Sequence, residues 1–107
     1  MEEDGAEHLI VEHAILRVKL AEAAKFEAAM KQAQPLIAAS PGFLGLEVRP
    51  AAESPGVYLL LVKWDTIAAH REGFRRSDRY QKWKALLHHF YDPMPIVTYF
   101  DEPLSEK

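Results

Sequence analysis

Residues 57–64, VYLLLVKW, constrain this chain more than any other stretch. Tyr58, Leu60 and Val62 alternate with Val57, Leu59 and Leu61, so a strand here is apolar on both faces. An antiparallel strand with one wet face alternates apolar with polar side chains instead. Residues 8–19, HLIVEHAILRVK, contain no Gly or Pro and show nearly the same property, with Ile10, Ala14, Leu16 and Val18 on one side and Leu9, Val11 and Ile15 on the other. A sheet built on these two strands must be covered on both sides, and a chain of 107 residues is one domain with few helices to offer.

The helices are two, the second broken into a short and a longer piece. Ala23, Phe26, Met30 and Ala33 recur at three- and four-residue spacing, which predicts an amphipathic helix from Ala21 to about Gln34. Pro35 is expected to kink it or end its regular part, although Leu36 and Ile37 continue the apolar face. After the turn Ser40-Pro41-Gly42, residues 43–49 alternate as a second strand, and residues 50–56 form the hairpin loop to the third. Asp65 or Thr66 can cap a short helix through about Phe74, and Ser77 or Asp78 a longer one through about Phe90. Asp92-Pro93-Met94-Pro95 stops it, and residues 96–100 read as a last strand.

The order β-α-β-β-α-β is the ferredoxin-like arrangement, an α+β fold with a four-stranded antiparallel sheet and helices on one face. The helix-free face then needs a cover, and the simplest is the same face of a second copy related by a twofold axis. The expectation is a homodimer whose two sheets pack face to face as a dimeric α/β barrel. The domain should run from 8 to 100, between an acidic tail at 1–7 and a polar one at 101–107.

Composition narrows the function. There is no cysteine, which removes disulfides, thiolate metal sites and cysteine nucleophiles and fits a reducing, cytoplasmic setting. The acidic start MEEDGAEHLI lacks the pattern of an export signal, and the longest apolar run is far too short for a membrane span. With 16 acidic against 13 basic side chains, and Phe74-Arg75-Arg76 too short to count as a basic block, no nucleic-acid partner is expected. No phosphate loop, G-x-S-x-G, H-E-x-x-H or calcium-loop spacing occurs, so neither a metal nor a cofactor is expected.

Three of the five histidines fall in HREGFRRSDRYQKWKALLHHFYDP, residues 70–93. Helical geometry puts Ile67, His70 and Phe74 on one side, so His70 points toward the sheet. It is either a core histidine with satisfied ring nitrogens or an acid, base or hydrogen-bond donor in a cavity. His88 and His89 lie off the face defined by Tyr80, Trp83, Leu87 and Phe90. Being adjacent, they diverge by about 100° and cannot share one ion, so they belong to the helix edge or to solvent. Phe74 and Trp83 are core residues that can also line a ligand cavity. His13 sits on a largely apolar face, at a dimer seam or in the pocket. Glu12, among Ile10, Ala14 and Leu16, is the candidate buried carboxylate, although a solvated place at a sheet edge is the ordinary expectation for a Glu.

Taken together, SPGFLGLEV, YLLLVKW, the helical stretch AAHREGFRRSDRYQKWKALLHHFYDP and the closing PIVTYF resemble the antibiotic biosynthesis monooxygenase family over about residues 8–100. The resemblance implies dimers of ferredoxin-like subunits. It also implies one of several activities: oxidation of polycyclic aromatic substrates by dioxygen without flavin, haem or metal, haem degradation, or none known. Haem degraders of the family use an Asn on the first strand and a Trp and a His on the helical segment after the third. Here the first strand has no Asn, and Gly73 and Trp83 or Lys84 stand near the other two places, which disfavours that branch. His70 matches a histidine found early in the helix of other members. The reading is a cofactor-independent monooxygenase of a small aromatic or polyketide-like substrate, with His70 as base and Phe74, Trp83 and His13 about the ligand. The alternative is a non-catalytic homodimer that binds a small molecule or serves a structural role.

Overall fold

The computed structural model describes residues 9–105. The expected tail over 1–7 lies outside them, as do residues 106–107 of the expected C-terminal one. Strand β1 spans Ile10–Arg17, helix α1 Ala23–Ala38, β2 Phe43–Pro50, β3 Val57–Trp64, helix α2 Asp78–Leu87 and β4 Thr98–Phe100. The sheet has the order β2-β3-β1-β4 with every neighbour antiparallel, the ferredoxin-like topology, and β1 and β3 are its two central strands.

The first and last strands are shorter than expected, Ile10–Arg17 and Thr98–Phe100, and the helices differ in two places. Helix α1 continues past Pro35 and ends at Ala38. The lost N–H of one exposed turn is outweighed by the burial of Ile37, which is 1 % exposed in the core. The short helix after β3 is a π-helical turn, Ala69–Phe74, in which the Arg75 N–H donates to the carbonyl of His70 at 3.0 Å. The Thr66 hydroxyl accepts from the Ala69 N–H ahead of it, and Ser77 caps α2 by accepting from Tyr80, as the residue types predict. Beyond α2 a 3-10 turn, His88–Phe90, leads to Tyr91, which bridges Val18 beyond the end of β1.

Alternation sorts the sheet into two faces. Ala14 and Leu16 of β1 and Tyr58, Leu60, Val62 and Trp64 of β3 are buried beneath Phe26, Met30, Ala33 and Ile37 of α1 and Trp83 and Leu87 of α2. Arg79 of α2 ties the two helices by donating to the Leu36 carbonyl at 3.1 Å and to the Ser40 hydroxyl. On the opposite face Val11, Ile15, Leu59 and Leu61 are only half-buried, and Leu44 and Phe100 are about half exposed, at 52 % and 50 %. Leu44 falls at a break in the β2 register between Phe43 and Gly45. The second apolar face inferred from VYLLLVKW is therefore present and open to solvent in the single chain.

Candidate active site

A cavity of about 230 Å³ lies between the helix-facing side of the sheet and the segment from the π turn to Val97. Its apolar wall includes Leu60, Phe74 and Trp83, and its polar residues include Glu12, His70, Arg75, Tyr80 and His88. A second groove, of about 180 Å³, runs beside α1, but there Glu27 is already engaged by the Tyr58 hydroxyl at 2.6 Å. The first cavity is the one in which polar groups converge beneath aromatic walls, the usual form of a small-molecule site.

The convergence follows from register. Glu12 on central strand β1 stands opposite Val62 on one side and Tyr99 on the other. It is 4 % exposed, which corrects the expectation of a solvated edge position: β1 is flanked by strands on both sides and has no edge there. Its Oε1 accepts from the Trp64 indole N–H at 2.9 Å and lies 3.5 Å from Nε2 of His70. The Tyr99 hydroxyl reaches Nδ1 of His70 at 2.7 Å. The His70 ring leans on Trp64 with centroids 5.3 Å apart and meets Tyr99 edge-on at 5.7 Å. Tyr99, His70, Glu12 and Trp64 thus form one chain of polar contacts, buried except at the half-buried Tyr99.

Its protonation follows from burial. His70, 3 % exposed, is pushed down to about 4, by desolvation first and then by the positive charges of Arg75 and Arg71. Burial raises Glu12 above the ordinary carboxylate value, against the opposing pull of the Trp64 hydrogen bond and the Arg75 charge. Tyr99 is raised as well, chiefly by burial, so its O–H stays a donor at neutral pH. A neutral His70 that accepts from Tyr99 at Nδ1 carries its proton on Nε2, facing the Glu12 carboxylate. Oε2 of Glu12 has no hydrogen-bond partner among the described residues.

The buried histidine has a consequence for stability. As pH falls the unfolded chain takes up a proton near 6.5, whereas folded His70 resists until about 4, so its contribution is complete above 6.5 and is lost between those values. The loss amounts to up to about 3 kcal/mol. Glu12 acts with the opposite sign: its raised folded value contributes stability on the acid side that is lost as pH rises through that value. Thermal melts of wild type and His70→Asn between pH 7 and 4.5 isolate the first effect. The variant should show a flatter decline on acidification; parallel declines would contradict a depressed His70.

The structure brings His70, Phe74 and Trp83 together around this cavity. It does not bring His13 there: that ring lies on the opposite, open face, edge-on to Phe100 at 5.5 Å and half-buried. His88 is not merely an edge residue, because it is half-buried and lines the cavity near Tyr80 and Tyr91, whereas His89 is exposed and packs on Phe90. Arg75, Tyr80 and His88, which line the cavity, and Tyr99, which contacts His70, were not assigned to it by sequence reasoning, and Glu12 was named only as a candidate buried carboxylate. For Glu12 a signal existed, its place in the buried set Ile10, Glu12, Ala14, Leu16.

The model of the antibiotic biosynthesis monooxygenase family matches residues 9–86. The uncharacterized protein YczJ of Bacillus subtilis is 43 % identical over 94 residues, which cover 88 % of this chain and 99 % of YczJ. A Bordetella bronchiseptica protein assigned by name to the antibiotic biosynthesis monooxygenases is 32 % identical, covers 92 % of this chain and all of its own, and superimposes with a TM-score of 0.86. SnoaB of Streptomyces nogalater, a cofactor-independent oxygenase, shares the fold at a TM-score of 0.63 with 13 % identity and 94 % of each chain covered. On the family match over residues 9–86 and the identity to the Bordetella protein, the chain belongs to the antibiotic biosynthesis monooxygenase family.

Proposed function

We propose that the chain is a cofactor-independent monooxygenase of a small, acidic aromatic or enolic substrate, working as a homodimer. The observation that carries the reading is the buried Glu12–His70 pair in the wall of an aromatic-lined cavity. A base beneath a bound ring takes a proton from an acidic carbon or phenol, and the resulting anion is electron-rich enough to reduce dioxygen. For a CH₂ flanked by activating groups, the carbanion and dioxygen combine to a peroxide. The abstracted proton returns to it, and loss of water leaves one oxygen atom as a carbonyl. In this scheme Glu12 accepts the proton, His70 orients the carboxylate and shares the charge through Nε2, and Phe74 and Trp83 flank the ring.

Dimerisation is supported by the open apolar face and by the family's dimers. The fold of SnoaB supports oxygen chemistry without a bound cofactor. One observation favours the second reading, a binding protein without turnover: both ring nitrogens of His70 already face protein partners. Oxygen uptake and ligand binding measured on one preparation with a panel of acidic single-ring phenols and enols separate the two. Uptake that depends on the protein and disappears in His70→Ala, with the fold retained by circular dichroism, is the expected result. Binding without uptake establishes the binder instead.

A further inference from the structure

The four arginines of HREGFRRSDR, residues 70–79, differ in what occupies them. Arg76 pairs with Glu72 at 3.1 Å, Arg79 holds the Leu36 carbonyl and the Ser40 hydroxyl, and Arg71 lies over the Tyr99 ring at 5.3 Å. The guanidinium of Arg75 has no hydrogen-bond or ion-pair partner among the described residues, yet it is the one Lys or Arg that lines the cavity. Its backbone is fixed by the bond from its N–H to the His70 carbonyl that closes the π turn, a feature that recurs at functional sites. Arg75 is exposed as a residue while Glu12 and His70 are buried, so the cation stands at the mouth and the carboxylate at the floor.

We propose that Arg75 is a specificity-determining residue that selects substrates bearing a carboxylate, which it holds at the cavity mouth while the reacting O–H or C–H end of the same ring points to Glu12. The inference rests on reading this cavity as the substrate site. Charge placement gives the ligand one orientation: an anionic group is repelled by Glu12 at the floor and attracted by the guanidinium, whose planar fork matches a carboxylate with two parallel hydrogen bonds. His88 does not compete for the anion, because burial, then Lys84 and Arg75, hold it below its ordinary value and neutral. Size agrees, since a cavity of about 150 Å³ accepts benzene and drug-sized ligands need about 300 Å³ or more, so about 230 Å³ suits one substituted ring.

Calorimetric titration with 4-hydroxybenzoate and with its methyl ester tests this without requiring turnover. The wild type should bind the acid at least tenfold more tightly than the ester, with the acid alone weakened by added salt. Arg75→Gln should bring the acid to the affinity of the ester and leave the ester unchanged, and Arg75→Lys should keep part of the preference. Equal affinities in the wild type, equal weakening of both ligands by Arg75→Gln, or no binding of either at millimolar concentration would each overturn the proposal. Failure of the oxygenase reading has a different signature: selective binding of the acid with no oxygen uptake leaves the role of Arg75 standing.

Discussion

Replacing Glu12 by glutamine lowers kcat/KM for an acidic phenol or enol by about 10²- to 10⁴-fold, the usual contribution of a positioned base, which corresponds to about 3–5 kcal/mol of barrier. The amide keeps the shape of the side chain and can still accept the Trp64 indole N–H, so the geometry of the floor is preserved. It cannot take a proton near neutral pH. The folded protein should be at least as stable as the wild type at pH 7, because the variant no longer holds a carboxylate against the desolvation that raises its pKa. A purely structural Glu12 would give the reverse pattern, with lost stability and an unchanged rate per folded molecule. The pH profile supplies an independent readout. In the wild type kcat/KM should fall on the acid side with an apparent pKa above the ordinary carboxylate value of 4.5, since the base must be ionised. That limb should be absent from the residual activity of Glu12→Gln. An intact acid limb in the variant would move the base elsewhere, with His88 the next group to test.

The same carboxylate shows where reading from sequence stops. The fold was legible because its signals are local and agree: the double apolar alternation of VYLLLVKW, the three- and four-residue spacing of Phe26, Met30 and Ala33, and the caps Thr66 and Ser77 all point to one topology. Pro35 misled because a local rule about a missing N–H competes with burial of Ile37, and the weight of that burial depends on the finished core. His70 could be aimed at the sheet from helical periodicity alone. What it meets there could not be seen, because Glu12, Trp64 and Tyr99 come from three different strands and the contact from Trp64 to Glu12 spans 52 residues. The charge on Glu12 suggested solvent, whereas its position in a buried alternation suggested the interior, and the central place of β1 decided between them. Arg75 was hidden for another reason. Four arginines in ten residues look alike until the partners of the other three are known.

Placing a lysine at Leu61 should convert the proposed dimer to a monomer, weakening association by at least about 10³-fold. Leu61 lies on β3, one of the two central strands, between His13 of β1 and Glu47 of β2, and its side chain points to the open face while Leu60 and Val62 point to the cavity side. If two sheets pack through this face about a twofold axis, each Leu61 leaves water on association. Fully burying a leucine is worth about 1.5–3 kcal/mol, and because Leu61 is already half-buried in the single chain the substitution removes roughly half of that from each subunit. It also asks two ammonium groups to enter one apolar interface, where like charges must be desolvated without a partner. The loss therefore exceeds 4 kcal/mol, about a thousandfold in Kd. Because the helix-facing core does not include Leu61, the monomer should keep its fold and its cavity. Sedimentation velocity across nanomolar to micromolar concentrations measures both arms. A wild type that sediments as a monomer throughout would show that the apolar face is tolerated in water and remove the dimer from the proposal. A Leu61→Lys variant that stays dimeric would place the interface on another surface, such as the free edge of β2. Monomers that still consume oxygen at the wild-type rate would show that each subunit carries a complete site, as expected if Glu12, His70 and Arg75 of one chain suffice for the chemistry.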